Sequence, residues 1–322
     1  MSAGPAPKRL DQGRPSSPPR GAFGCGAGAV NLSATRSRTT ALRDYIELTK
    51  PEVTSLVVAS ALAGFYAASE GSLNWLLLFH ALLGTGLVSA GTAAFNMYLE
   101  RGDDARMRRT AQRPLPAGRL HPAAVLRFAW ALSMGGVLYL AAFVNLLAAA
   151  LAFATWGSYL FLYTPLKKKT IWCTAIGAFP GAAPPLIGWA AARGSLSAEA
   201  WALYAILFLW QFPHFLSIAW MYREDYARAG MRMLPVVDPT GRATGWQISF
   251  YAAALVPLGL LPAWLGMAGT VYTWGAVMLG FGFLWVTLRA ALRPSNLHAR
   301  WVLHASVAYL PLLFALLMLD KR

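Results

Sequence analysis

Charge is what this chain has least of. Asp, Glu, Lys and Arg together make up 13% of its 322 residues, about half of what a soluble domain carries. That shortage excludes a water-soluble globular domain of ordinary composition. Acids are scarcer still: 13 Asp and Glu stand against 28 Lys and Arg, a formal net charge of +15. Cysteine is nearly absent. Cys25 and Cys173 lie far apart and outside any C-x-x-C or C-x-x-C-H pattern, which excludes a disulfide framework and a covalent haem attachment. The short alternating segments that build an outer-membrane barrel are missing too.

What the chain has in quantity is apolar length. Hydrophobic residues make up 57% of it, mean hydropathy is +0.46, and the apolar stretches run about 20 residues, the length of a membrane-spanning helix. The expected fold class is an all-α integral membrane protein. Nine spans are read at 52–69, 74–97, 122–143, 145–164, 172–192, 198–221, 245–265, 270–289 and 300–319. Pro180, Pro184 and Pro185 should distort the fifth. Residues 1–42 read as a disordered, basic N-terminal extension rich in Pro, Gly, Ser and Arg, and 43–322 as one transmembrane domain.

A net charge of +15 suggests nucleic acid, but the distribution of the charge argues against it. Apart from the distal N-terminal tail, every Lys and Arg but Arg193, Lys321 and Arg322 falls beside loops on one face of the nine-span topology. That is the positive-inside pattern. It predicts a cytoplasmic N-terminus, an external C-terminus and an odd number of spans. The Arg/Ser-rich start fits a bacterial extension or an organelle transit peptide, so composition leaves a bacterial inner membrane and a mitochondrial inner membrane both open.

The scarce acids are concentrated at that same face. Asn96, Glu100 and Asp104 recur every four residues, so on a continuous helix they form one stripe. An amide oxygen and two carboxylates suit a hard cation such as Mg²⁺, which binds through one or two carboxylates plus substrate phosphates. Asp225, beside Glu224, forms a second acidic patch after span six. Arg109, Arg113, Lys168 and Arg223 are candidates for holding phosphate oxygens. His214 is a candidate haem contact or proton-transfer group. Phe95, Tyr98, Tyr159, Tyr163 and Phe212 are candidates for stabilising a cation through a ring face.

Five stretches read together are Asn96-Met-Tyr-Leu-Glu100 with Asp104, Arg109-Thr-Ala-Gln-Arg-Pro-Leu115, Tyr163-Thr-Pro-Leu-Lys-Lys-Lys-Thr170, Gly181-Ala-Ala-Pro-Pro185, and Trp210-Gln-Phe-Pro-His-Phe215 running into Arg223-Glu-Asp-Tyr226. Over 43–322 the chain resembles the UbiA superfamily of intramembrane prenyltransferases, and the Trp210–Phe215 and Arg109–Leu115 segments point to its haem-modifying branch. The resemblance implies a nine-helix bundle with a central cavity opening to the cytoplasmic side. It implies Mg²⁺ bridging farnesyl diphosphate to Asn96, Glu100, Asp104 and Asp225, with the four basic residues on the diphosphate. The implied reaction is farnesyl transfer to a vinyl group of haem b with addition of water, giving haem O and diphosphate. The implied partners are farnesyl diphosphate, haem b and the lipid bilayer, with a downstream haem A synthase or terminal oxidase assembly receiving the product. A different prenyl acceptor (an aromatic acid or quinone precursor) is the alternative within the class, and a transporter the alternative outside it.

Overall fold

Asparagine, serine and proline set where many of the helices begin. The computed structural model describes Met1, Gly4 and residues 38–322, and within these every regular element is helical apart from one bridge between Ala268 and Lys321. The first helix, α1 (Arg38–Leu48), precedes the apolar spans and buries Leu48. α2 (Pro51–Ala68) opens on proline, whose missing N–H costs nothing at the first helical position. α3 (Trp75–Leu99) is capped by Asn74, which accepts from the Leu77 amide at 3.0 Å, and the short α4 (Arg101–Asp104) follows across Glu100. α5 (Pro122–Phe143) begins on proline again. Asn145 caps α6 (Leu146–Gly157) through the Ala148 amide at 2.9 Å, and α6 continues through a π-helical turn (Ser158–Tyr163) into α7 (Thr164–Leu166). Then come α8 (Cys173–Gly181), α9 (Pro184–Arg193), α10 (Ala198–Met221), α11 (Arg223–Arg228), α12 (Leu234–Val237), α13 (Arg242–Leu258), α14 (Leu261–Trp264), α15 (Thr270–Leu292) and α16 (Asn296–Leu319).

Among the described residues eight helical segments are long and apolar enough to cross a membrane: α2, α3, α5, α6 extended to Leu166, α10, α13 extended to Trp264, α15 and α16. The segment read as a fifth span is two shorter helices. Pro184 and Pro185 have no N–H to return to the preceding turn, so α8 stops at Gly181 and α9 starts at Pro184. α9 still packs hard against α2. A Cβ at Gly64 would collide with the Pro185 main chain, and one at Gly188 with the Ala61 main chain. Small residues at such a crossing let two backbones approach in lipid, where packing rather than water exclusion drives association.

Two apolar cores fill the bundle. One surrounds α10 (Leu203, Ile206, Leu216) and takes in Tyr272, Phe283 and Leu313 from α15 and α16. The other joins α2, α3, α5, α6 and α9 through Phe65, Val88, Val125, Leu140 and Trp156. A third, smaller cluster of Met107, Cys173, Ala219, Ala229, Met231 and Met233 lies beneath the loops where α3 and α10 end. The extension read over 1–42 lies outside the described residues except for Met1, Gly4 and its last stretch from Arg38, which is helical.

Candidate active site

The acid stripe sits where α3 leaves the apolar bundle. The helix breaks at Glu100 (φ −89°, ψ 5°) and resumes as α4, so the stripe is not carried by one continuous helix. Asn96, Glu100 and Asp104 are all buried nonetheless. Each meets a cation. Asn96 Oδ1 accepts from Lys50 Nζ at 3.2 Å, and its amide nitrogen donates to Thr164 Oγ1 at 3.4 Å. Glu100 Oε1 accepts from Lys167 Nζ at 2.7 Å. Asp104 receives Arg113 on both oxygens, at 2.8 and 2.9 Å. Neighbouring Asp103 pairs with Lys168 at 2.7 Å.

The second patch reaches the same place. Tyr222 interrupts the helix after α10, and α11 carries Asp225 into a buried position. The Arg108 backbone amide donates to Asp225 Oδ1 at 3.2 Å, and Arg228 also pairs with that carboxylate. Arg109 donates to the Tyr226 hydroxyl at 2.8 Å and lies over the rings of Tyr222 and Tyr226. The loop after α4 is thereby stitched to α11, and the two acidic patches share one end of the bundle.

Three of the four expected phosphate-binding cations lie in this cluster: Arg109, Arg113 and Lys168. Arg223 does not. Its guanidinium turns toward α16, donating to Asn296 Oδ1 and the Trp220 carbonyl at 3.0 Å each and resting over the Trp220 ring. Two lysines take part that were read from sequence only as topology signals. Lys167, not Lys168, reaches Glu100. Lys50 reaches Asn96 from a left-handed backbone (φ 44°), the one positive-φ residue other than glycine among the described residues. Its place directly before Pro51 was the available signal, because a proline keeps the preceding residue out of the ordinary helical region.

Electrostatics follow from the crowding. Burial pushes the Lys50 ammonium down to about 8, with Arg113 adding to the effect and Glu100 opposing it. Burial alone would raise the Glu100 carboxyl, but the Lys167 ammonium outweighs it and holds the carboxyl below its usual range. Lys167, despite burial, is held well above the ordinary lysine value by Glu100. All three groups therefore favour the ionised form at neutral pH.

The donors are hard oxygens (one amide and several carboxylates), which fits Mg²⁺. Among the described residues no three His, Cys, Asp or Glu converge as a metal cage. The set suits an ion that completes its shell with phosphate and water.

His214 stands apart. It lies in α10 about 10 Å from the helix end, at about 1.5 Å per residue, with Nδ1 2.9 Å from Ser306 Oγ of α16 and its ring stacked on Trp210. Phe95 packs among Tyr98, Trp130 and Trp156, and Phe212 stacks on Tyr251. Of the aromatic candidates, Tyr159 and Tyr163 lie beside Lys167, which sits over the Tyr163 ring at 4.6 Å. A cavity of about 960 Å³ lies at the other end of the bundle, lined by residues such as Tyr66, Trp189 and Lys321 and by none of the expected site residues.

Residues 57–316 match the UbiA prenyltransferase family. A protoheme IX farnesyltransferase of Solibacter usitatus is 53% identical over 289 residues, covering 87% of this chain and 99% of the relative. One from Koribacter versatilis is 54% identical over 291 residues, covering 87% and 94%. A solved digeranylgeranylglyceryl phosphate synthase superposes with a TM-score of 0.72 at 18% identity, over 87% of this chain and 98% of that one. A UbiA homologue from Archaeoglobus fulgidus bound to GPP and Mg²⁺ gives 0.63 at 15%, over 85% and 99%. The chain is a multi-pass membrane protein and belongs to the UbiA prenyltransferase family.

Proposed function

We propose that this protein transfers the farnesyl group of farnesyl diphosphate to a vinyl group of haem b, with addition of water, giving haem O and diphosphate. It is a prenyltransferase, and its relatives at 48–54% identity act as protoheme IX farnesyltransferases. The observation that carries the site is the stitch between the acidic patches, from the Arg108 amide to Asp225. It gathers acids and cations from the end of α3, α4, the loop after it and α11 at one mouth.

The diphosphate binds where Lys50, Arg109, Arg113, Lys167 and Lys168 lie; Arg113, Lys167 and Lys168 exchange carboxylate partners for phosphate oxygens, Lys50 the Asn96 amide and Arg109 the Tyr226 hydroxyl. Asn96, Glu100, Asp104 and Asp225 would hold Mg²⁺, which would supply charge neutralisation for the leaving diphosphate. Charge develops on that group as the farnesyl C1–O bond breaks and its electron pair leaves with oxygen, so fixed cations there stabilise the transition state. Tyr159 and Tyr163 present ring faces to the allylic cation. The vinyl π electrons of haem b bond to C1, water adds to the resulting cation, and the proton from that water leaves with diphosphate. His214 with Ser306 contacts the haem from the apolar side.

The reading includes nine crossings, with α8 and α9 forming one broken crossing, and a cavity over the acids that opens to the cytoplasm of a bacterial inner membrane. The domain begins near residue 43, and haem O passes to a haem A synthase or to oxidase assembly. Purified protein incubated with Mg²⁺, haem b and farnesyl diphosphate should add one farnesyl and one hydroxyl to haem by mass. Alanine at Glu100, Asp104 or Asp225 should abolish the gain; full turnover in two of the three defeats the metal assignment. Prenylation of a different acceptor, with haem unchanged, replaces the acceptor.

A further inference from the structure

The large cavity lies at the end of the bundle opposite the acids. α2 runs from Lys50 beside Asn96 to Ser69 at the cavity wall, about 27 Å at 1.5 Å per residue. Its volume of about 960 Å³ is at the upper end of what organic ligands occupy, about 300–1,000 Å³. The walls combine apolar and aromatic side chains (Tyr66, Trp75, Trp189, Met267, Leu317) with charged ones.

The placement of the cations is informative. The loops and helix ends on this side contain three basic residues, Arg193, Lys321 and Arg322, and all three line this one cavity. Lys321 donates to the Tyr66 and Ser69 carbonyls and Arg193 to the Ala68 carbonyl, so both cap the negative end of α2. Arg193 also pairs with Glu70. Glu199 is the second acid of the wall.

The positive ends of two long helices face the same space. α3 begins at Trp75 and α10 at Ala198, and their first-turn residues Trp75 and Glu199 line the cavity. Ser197, at the N-cap of α10, makes no side-chain capping bond, and the first-turn carboxylate of Glu199 accepts from its own backbone amide. The negative end of α2 is capped by protein cations and the starts of α3 and α10 by Asn74 and Glu199, while Arg322 lines a space with aromatic walls.

We propose that this cavity is a second binding site, for an anionic amphiphile with an apolar body and carboxylate or phosphate groups. The acid groups sit at Arg322 and Lys321, and the apolar body lies against Trp189, Tyr66 and Leu317. Two sources supply this chemistry: the propionates of haem b, which rests on the haem reading above, and the phosphate of an anionic phospholipid.

The test uses the full chain in phosphatidylcholine nanodiscs. One arm titrates haem b and follows quenching of tryptophan fluorescence. The other mixes in phosphatidylglycerol and weighs retained lipid by native mass spectrometry. Arg322→Glu reverses an exposed charge, and Ser195→Trp obstructs the exposed mouth without touching a cation. In one arm both variants should bind about tenfold more weakly, the worth of one charge-assisted hydrogen bond, while Mg²⁺-dependent binding of farnesyl diphosphate stays at the wild-type value. Loss in the haem arm assigns the propionates, and loss in the lipid arm assigns the phosphate. Wild-type binding in both arms by either variant overturns the proposal. Normal haem farnesylation with no such loss sinks this site alone, whereas loss at this site in a chain that never farnesylates haem sinks the haem reading alone.

Discussion

Lys50 gives up its proton more readily than an ordinary lysine. Its ammonium, pushed down to about 8 by burial and by Arg113, is charged at pH 7 and neutral by pH 9. A diphosphate prefers the charged form, so its apparent affinity should fall above pH 8, by up to about tenfold per pH unit. The sign for folding is opposite. The folded value lies below the unfolded one, so the unfolded chain binds more protons between about 8 and 10.5, and this group's contribution to stability rises with pH across that window. A KM for farnesyl diphosphate that is flat from pH 7 to 10 would remove Lys50 from the diphosphate. Glu100 and Lys167 make a separate case. Both side chains are mostly buried, at 9% and 13% exposure, and removing one partner leaves the other's charge unpaired, which costs about 3–5 kcal/mol. Glu100→Gln should therefore lower the melting temperature as well as abolish turnover. Adding Lys167→Met should restore the melting temperature and leave turnover absent. Recovery of both would make the pair a structural strut. The acids of this cluster were legible in the sequence because carboxylates at a membrane face are rare and spaced at helical intervals. The choice of cation was not. A run of three lysines gives no register, so spacing does not tell Lys167, which reaches Glu100, from Lys168, which pairs with Asp103, and nothing in the sequence turns Arg223 toward Asn296.

At the scale of elements, α1 ties down the loop that carries the arginines. Arg119 donates to Asp44 at 2.8 Å and to Glu47 at 2.8 Å, both on α1, and to the Gln112 carbonyl at 2.5 Å. Arg113 lies between Gln112 and Arg119 in sequence, and Lys50 sits two residues past the end of α1, so one guanidinium holds both in place. Arg119→Gln should raise KM for farnesyl diphosphate about tenfold, well inside the roughly hundredfold that a 1 Å misplacement can cost. Arg119→Lys should recover only part, because an ammonium lacks the planar fork that bridges two carboxylates. An unchanged KM in Arg119→Gln would make α1 a passive anchor. The long spans were readable because twenty apolar residues have few other fates. α1 was not, because its Leu42 and Ile46 are exposed and its charges pair with a loop seventy residues on. The break between α8 and α9 was visible in Pro184 and Pro185. That it yields two helices depends on how closely α2 and Gln211 approach Gly188 and Gly181, which spacing alone does not reveal.

For the whole molecule, seven of the nine exposed tryptophans among the described residues mark two levels, while Trp130 and Trp285 lie within spans. Trp75, Trp201, Trp264 and Trp274 stand at the starts or ends of helices on the cavity side, and Trp172, Trp246 and Trp301 on the acid side. Amphipathic indoles gather at the two membrane–water interfaces. Along α3 the distance from Trp75 to Asn96 is about 31 Å at 1.5 Å per residue, one hydrocarbon thickness. The acids therefore sit at one interface and the cavity at the other. Lys50 is at the acid end and Lys321 caps α2 at the cavity end, so residues 50 and 321 lie at opposite ends of the bundle, and the proposed topology between them has an odd number of crossings. The proposed count of nine, eight continuous segments plus α8 and α9 as one broken crossing, has that parity. Alkaline phosphatase fused after Arg322 in a bacterial host should be active and a green fluorescent protein fused there dark. Phosphatase fused after Pro239, in the loop at the acid end, should be inactive. An inactive phosphatase at both positions would mean an even number of crossings and would place the acids and the cavity on the same side of the lipid. Activity after Pro239 with none after Arg322 would turn the bundle over and expose the diphosphate site to the outer face, where a cytoplasmic prenyl diphosphate has no access.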